Sequence, residues 1–147
     1  MTGRFLDPLI PMPMENGLDW IICLELRYLR DRDDPTSMLT VPLGFQTDFT
    51  STPRAIWSLL PPWGRYAEAA LVHDLIYRLN PKSMARLEAD LVLDEIMYLK
   101  NVPPLQRRAI YDGVRIGGQA AWDENAVRRA SGERWSGFVP VIVTKKP

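Results

Sequence analysis

The chain has one cysteine and one histidine in 147 residues. A single cysteine, Cys23, excludes a disulfide within the chain. A single histidine excludes the multi-histidine ligand sets on which zinc hydrolases usually rest. There is no excess of charge: 18 basic residues balance 18 acidic ones, so no bulk electrostatic argument favours nucleic acid or an anionic membrane. No apolar run is long enough for a transmembrane helix, and the first residues lack the basic-then-apolar layout of a secretory signal. These absences point to a globular protein made and folded in a cytoplasm.

What is present supports one domain, 1–147, with a substantial core, since 46% of the residues are hydrophobic. Thirteen prolines and five tryptophans predict rigid loops and a surface that packs against something else. Residues 1–18, with Pro8, Pro11, Pro13 and Gly17, read as an irregular arm. It is either packed on the body or reserved for a neighbour. Residues 19–30 start apolar and then alternate, with Leu24, Leu26 and Tyr28 opposite Glu25 and Arg27, which predicts a strand. A turn over 31–37 and a short strand over 38–45, broken by Pro42, complete a hairpin with the second strand at an edge. The segment 44–54 is dense in hydroxyls around Asp48. It can fold on itself through side-chain to backbone hydrogen bonds, or supply oxygens to a hard cation.

The second half reads as helical. The first helix is expected over 66–79, stopped by Asn80-Pro81. The second is expected over 84–100 with Ser83 as N-cap. Its residues Arg86, Asp90 and Asp94 stack at four-residue spacing. The third is expected over 105–122. Gly113, Gly117 and Gly118 lie within it, a cost best explained by close approach of another helix. Residues 123–137 are charged and read as a loop, and 138–144 as a last strand carrying Pro140.

The chemistry concentrates in residues 70–79. His73, Asp74 and Tyr77 are set among apolar neighbours, and each unsatisfied buried polar group would cost about 1–3 kcal/mol. Helical geometry puts His73 and Tyr77 on one face and turns Asp74 about 100° away. A carboxylate to orient His73 must therefore come from elsewhere, and Asp90 on the antiparallel second helix fits best. Tyr77 can bond the same carboxylate, which leaves Asp74 for another task such as binding a metal. A sealed, satisfied core histidine is the competing reading. The two differ in access, because a catalytic histidine needs a cleft.

The pattern His73-Asp74-x-x-Tyr77-Arg78, followed by Ser83 and Arg86-x-x-x-Asp90, resembles the helix pair of secreted phospholipase A2, above all its small prokaryotic members. The resemblance implies an α+β fold: a three-helix phospholipase A2-like core over 66–122, and a small antiparallel sheet or hairpin on the N-terminal side over 19–60. It implies His73 as the base, Asp90 as its orienting carboxylate, Tyr77 as partner of Asp90, and Asp74 as a calcium ligand. The cysteines that flank the histidine in that family are absent here. Its glycine-rich calcium loop has no clear copy, and only Gly44–Ser51 with Asp48, or Pro62–Arg65, stand in its place.

A second resemblance spans most of the chain. Val41-Pro-x-Gly-Phe-x-Thr-Asp48-Phe-x-Ser51-x-Pro-Arg54, then Ala70-x-x-His73-Asp74-x-x-Tyr77, then Arg86-x-x-Ala-Asp90, then Val114-Arg-x-Gly-Gly, is similar to a phage and prophage family, the domain of unknown function 1353. It implies a bacteriophage context and adds Ser51, Arg54 and Arg86 to the candidate site. Together these readings lead to two expectations. One is a hydrolase-like domain, tail-associated, in which water activated by His73 cleaves an envelope ester or amide in phospholipid or peptidoglycan. Calcium at Asp74 and Asp48 would polarise the carbonyl, and zinc fits less well. The other is a non-catalytic tail, baseplate or neck component whose His–Asp network only stabilises the fold. Both imply a protein made in the host bacterial cytoplasm, incorporated into a phage particle and partnered by other virion proteins, with no specific nucleic acid.

Overall fold

The computed structural model describes residues 3–17, 19–47 and 65–132. Among these it is an α+β protein with two small antiparallel sheets and four helices. The β-rich half precedes the helical half, as the change of hydrophobic period from two to 3.6 requires. Asp48, Ser51, Arg54, residues 62–64 and the strand expected over 138–144 lie outside the described residues.

The first sheet holds β1 (Arg4–Phe5), β4 (Leu26–Asp31) and β5 (Asp34–Val41) in the order β1-β4-β5. Its β4–β5 hairpin turns at Arg32 and Asp33, and β5 ends before Pro42 at the sheet edge, as expected. Alternation buries Leu26, Tyr28, Leu39 and Val41, so one sheet face meets the helices. The second sheet holds β2 (Pro11–Pro13), β3 (Trp20–Ile22) and β6 (Gln46–Thr47) in the order β2-β3-β6.

Two expectations are corrected here. The single strand read over 19–30 is two strands, β3 and β4, in different sheets. The apolar run Trp20-Ile21-Ile22 and the alternating run from Leu26 were two signals, separated by an irregular step at 23–25. The irregular arm is also partly strand, since β1 pairs with β4 and β2 with β3. Pro11 and Pro13 sit on β2, an edge strand, where a missing N–H leaves no ladder bond unmade. Asp7 fastens the arm by accepting from the Arg27 backbone N–H at 3.0 Å and from its guanidinium at 2.7 and 2.8 Å.

The helices are α1 (Ala67–Leu79), α2 (Arg86–Leu99), α3 (Pro104–Gly117) and α4 (Gln119–Ala130). No described helix is long and apolar enough to cross a membrane. α1 is buried along nearly its whole length, from Ala67 to Tyr77, with α2 and α4 packed against it. It stops at Asn80, which takes the left-handed conformation (φ 40°, ψ 57°) that asparagine tolerates better than most residues. Ser83 is not the N-cap of α2. It has a φ of 53°, and Ala85 occupies the cap position with no side-chain bond. The local bonding falls to Asn80, whose Oδ1 accepts from the Met84 N–H at 2.8 Å while its Nδ2 donates to the Met84 carbonyl at 3.0 Å.

The expected third helix is two, and the loop read over its sequel is helical as far as Ala130. The division falls at Gly118. A Cβ there would come within 2.6 Å of the Val114 carbonyl and 2.8 Å of the Tyr77 hydroxyl. This is the close helix approach that the glycines imply. α4 has no fully buried residue. It depends on spaced pairs, Gln119 with Asp123 and Glu124 with Arg128. It is also fastened by Arg129, which donates to the Tyr77 and Arg78 carbonyls at the end of α1.

Candidate functional site

The candidate site is the contact between α1 and α2. α1 brings His73 and Tyr77 to one face, one turn apart, with their ring centroids 4.1 Å from each other. α2 runs back across this face and presents Asp90, which is completely buried. His73 Nε2 lies 2.8 Å from Asp90 Oδ1, and the Tyr77 hydroxyl donates to the same oxygen at 2.7 Å. This is the trio expected from helical spacing, with the carboxylate supplied from the second helix.

The other oxygen of Asp90 faces cations. Arg115 of α3 donates to Oδ2 at 2.6 Å, and Arg86, one turn before Asp90 on α2, has its Nη1 at 3.5 Å. Arg86 spends its donors on the end of α3, reaching the Arg115 carbonyl at 2.9 Å and the Val114 carbonyl at 3.4 Å. Burial alone would raise the Asp90 carboxyl. The hydrogen bonds from His73, Tyr77 and Arg115 outweigh it and hold the group below the usual carboxylate range. Burial, and then the bond to Asp90, push the Tyr77 phenol up, so it stays a donor.

An ionised carboxylate only accepts hydrogen bonds. Whenever the imidazole of His73 is neutral, it therefore carries its proton on Nε2 and its lone pair on Nδ1. No described residue hydrogen-bonds Nδ1. The geometry thus fixes the tautomer and aims the basic nitrogen away from Asp90. His73 is 2% exposed, so any water at Nδ1 occupies a narrow opening.

Asp74 points away from the His73–Tyr77 face, as the helical rotation requires. Its Oδ2 accepts from the Thr47 hydroxyl at 2.9 Å, and its Oδ1 pairs with Arg78 Nε at 3.0 Å. Arg78 also donates to the Gln46 carbonyl. Asp74 therefore links α1 to β6. With a guanidinium on one oxygen and a hydroxyl on the other, its donor set does not fit a calcium shell. Among the described residues no three His, Cys, Asp or Glu groups converge as a metal would need. Asp48, the second expected ligand, lies outside the described residues with Ser51 and Arg54.

Asp94 does not join the site and pairs with Arg107 at 3.0 Å. The arginines of α3 are spent on carboxylates: Arg107 on Asp94, Arg108 on Asp112 and Arg115 on Asp90. Arg115 is the residue the site reading missed. Its signal was its place in the Val114-Arg-x-Gly-Gly block, together with the demand of a buried carboxylate for countercharge. Trp122 of α4 was missed as well, and it meets the Tyr77 ring edge-on at 5.1 Å.

No curated protein and no solved structure matches the chain. A family model does, over residues 20–114, a span that holds both small-sheet hairpin strands, the His73–Tyr77–Asp90 trio and Arg86. The chain belongs to the family described as "Protein of unknown function (DUF1353)".

Proposed function

We propose that this protein is a hydrolase-like domain of a bacteriophage or prophage, associated with the virion tail, in which His73 is the general base. The observation that carries the reading is the division of the two His73 nitrogens, with Nε2 set 2.8 Å from Asp90 Oδ1. A buried imidazole with one nitrogen on an anionic carboxylate and the other without a partner among the described residues is poised, when neutral, to take a proton from water. Networks that serve only to hold a core tend to satisfy both nitrogens.

In the proposed reaction Nδ1 removes a proton from water as its oxygen adds to the carbonyl carbon of an ester or amide. The imidazolium so formed is stabilised by Asp90 and returns the proton to the leaving oxygen or nitrogen as the tetrahedral adduct collapses. Tyr77 and Arg115 keep Asp90 ionised and oriented throughout. The substrate class is an envelope component, either a phospholipid ester or a peptidoglycan linkage. The described contacts of Asp74, with the Thr47 hydroxyl and the Arg78 guanidinium, do not suit calcium.

The second reading is a non-catalytic tail, baseplate or neck component. The 2% exposure of His73 favours it, since that opening is narrow for a substrate. The deciding experiment compares the wild type with His73→Ala for fatty-acid release from mixed phospholipid vesicles, with and without calcium, and for solubilisation of purified peptidoglycan. Release by the wild type that is lost in a folded His73→Ala supports the hydrolase. No release from either substrate leaves the structural component.

A further inference from the structure

The geometry points to Arg115 as a positioning residue that sets His73 by gripping Asp90 from outside the helix pair. Its kinetic consequence rests on the hydrolase reading above, but its structural consequence does not. Three observations carry it. First, the two oxygens of Asp90 are divided: Oδ1 takes His73 and Tyr77, and Oδ2 takes Arg115 at 2.6 Å. Rotation of the carboxylate about its bond to Cβ would exchange them, and a charge-assisted bond on Oδ2 opposes that rotation. Second, Arg86 cannot replace Arg115. Its nearest nitrogen is 3.5 Å from Oδ2, and one of its donors is committed to the Arg115 carbonyl at 2.9 Å. Asp90, Arg115 and Arg86 thus form a closed ring in which Arg86 holds the backbone that carries the gripping side chain.

Third, the site end of α3 has no slack. Gly118 follows Arg115 by three residues, and a Cβ there would press on the Tyr77 hydroxyl and come within 3.2 Å of Arg86 Nη1. The last turn of α3 is therefore seated against the same cluster. Arg115 alone among the ligands of Asp90 has a side chain substantially open to water, 31% exposed. It can be changed without opening a cavity. It also lies one residue past the span matched by the family model.

The experiment uses a fortunate scarcity. His73 is the sole histidine, so the imidazole ¹⁵N spectrum of the whole protein contains one spin system. The wild type is expected to show a single tautomer protonated at Nε2, with that proton protected from water. Arg115→Gln is expected to exchange the proton at least about tenfold faster and to show a second tautomer. Arg115→Lys should restore part of the protection. Arg108→Gln, on the same helix but 75% exposed, should match the wild type. In the hydrolysis assay Arg115→Gln should lower kcat about tenfold and leave KM unchanged. A loss of thermal stability alone would not move the tautomer ratio. The inference is overturned if Arg115→Gln keeps one protected tautomer, or if Arg108→Gln loses it equally. A wild type inactive on every substrate would sink the hydrolase reading while leaving the spectral result to decide this one.

Discussion

Asp90→Asn is the substitution that loads the most onto one atom. The side chain keeps its shape and loses its charge. Asp90 is wholly buried and receives His73, Tyr77, Arg115 and the nearby Arg86. An amide has one accepting oxygen. Turned towards His73 and Tyr77, it sets an NH₂ against two guanidiniums. Turned the other way, it sets that NH₂ against two donors. Either orientation breaks a buried pair, which costs about 3–5 kcal/mol. Arg115 can relax towards water, so the lower end of that range is expected. For a domain of this size each kcal/mol moves Tm by about 2–4 °C, giving a fall of roughly 6–12 °C. Thermal and urea unfolding followed by circular dichroism measure it.

The pH dependence supplies a second test of the same contact. The Asp90 carboxyl is held below its ordinary value of 3.8 in the folded protein. A carboxyl lowered by folding contributes stability that is complete above the unfolded value and lost as pH falls through the folded one. The gap between wild type and Asp90→Asn should therefore be constant from neutrality to about pH 4 and close below it. A gap under about 1 kcal/mol at pH 7, or one that widens in acid, would refute the reasoning.

Tyr77→Phe removes one donor to the same carboxylate and should cost about 1.5–3 kcal/mol by urea unfolding; an effect below about 0.5 kcal/mol would show that the bond contributes little. Gly118→Ala should destabilise by about 1–3 kcal/mol, because the added methyl meets the Val114 carbonyl and the Tyr77 hydroxyl. Wild-type stability in that variant would mean that the end of α3 is not seated as described. Asp74→Asn should loosen the joint between α1 and β6, and millimolar calcium should leave the wild-type Tm unchanged. A calcium-dependent rise in Tm that Asp74→Asn abolishes would restore Asp74 as a ligand.

The helix pair was legible because its signals are local. Helical spacing placed His73 with Tyr77 and turned Asp74 away, and the short Asn80–Ala85 connection required antiparallel helices. The trio with Asp90 follows from those facts alone. Arg115 was not legible in the same way: its place in the Val114-Arg-x-Gly-Gly block marked it, but helical spacing does not separate a guanidinium bound to a distant buried carboxylate from Arg107 and Arg108 two turns earlier. The helix at 119–130 was hidden for another reason. Its apolar residues are mostly alanines and none is fully buried, and its hold on the body comes through Trp122 and Arg129, contacts that periodicity does not report. In the β half, the division between β3 and β4 turns on pairing partners far along the chain, Gln46 and Thr47 for β3 and residues 38–41 for β4. Short strands carry little information about such partners.

The α1–α2 hairpin also bears on how the chain reaches its fold. Asp90 follows His73 by 17 residues and Tyr77 by 13, and Arg115 follows Asp90 by 25. Closing loops of that length is entropically mild, and contacts so near in sequence form ahead of the long-range contacts between sheet and helix. The polar cluster therefore belongs to the fast-forming part of the chain, while the bonds that seat β4 on α2, Tyr28 to Glu95 and Arg30 to Glu88, join residues 67 and 58 apart and close later. Substitutions at Asp90 should slow refolding, whereas substitutions at Glu95 should chiefly speed unfolding. A group of charges that would be hard to desolvate late, inside an assembled core, is sorted into its pairs while water can still reach it.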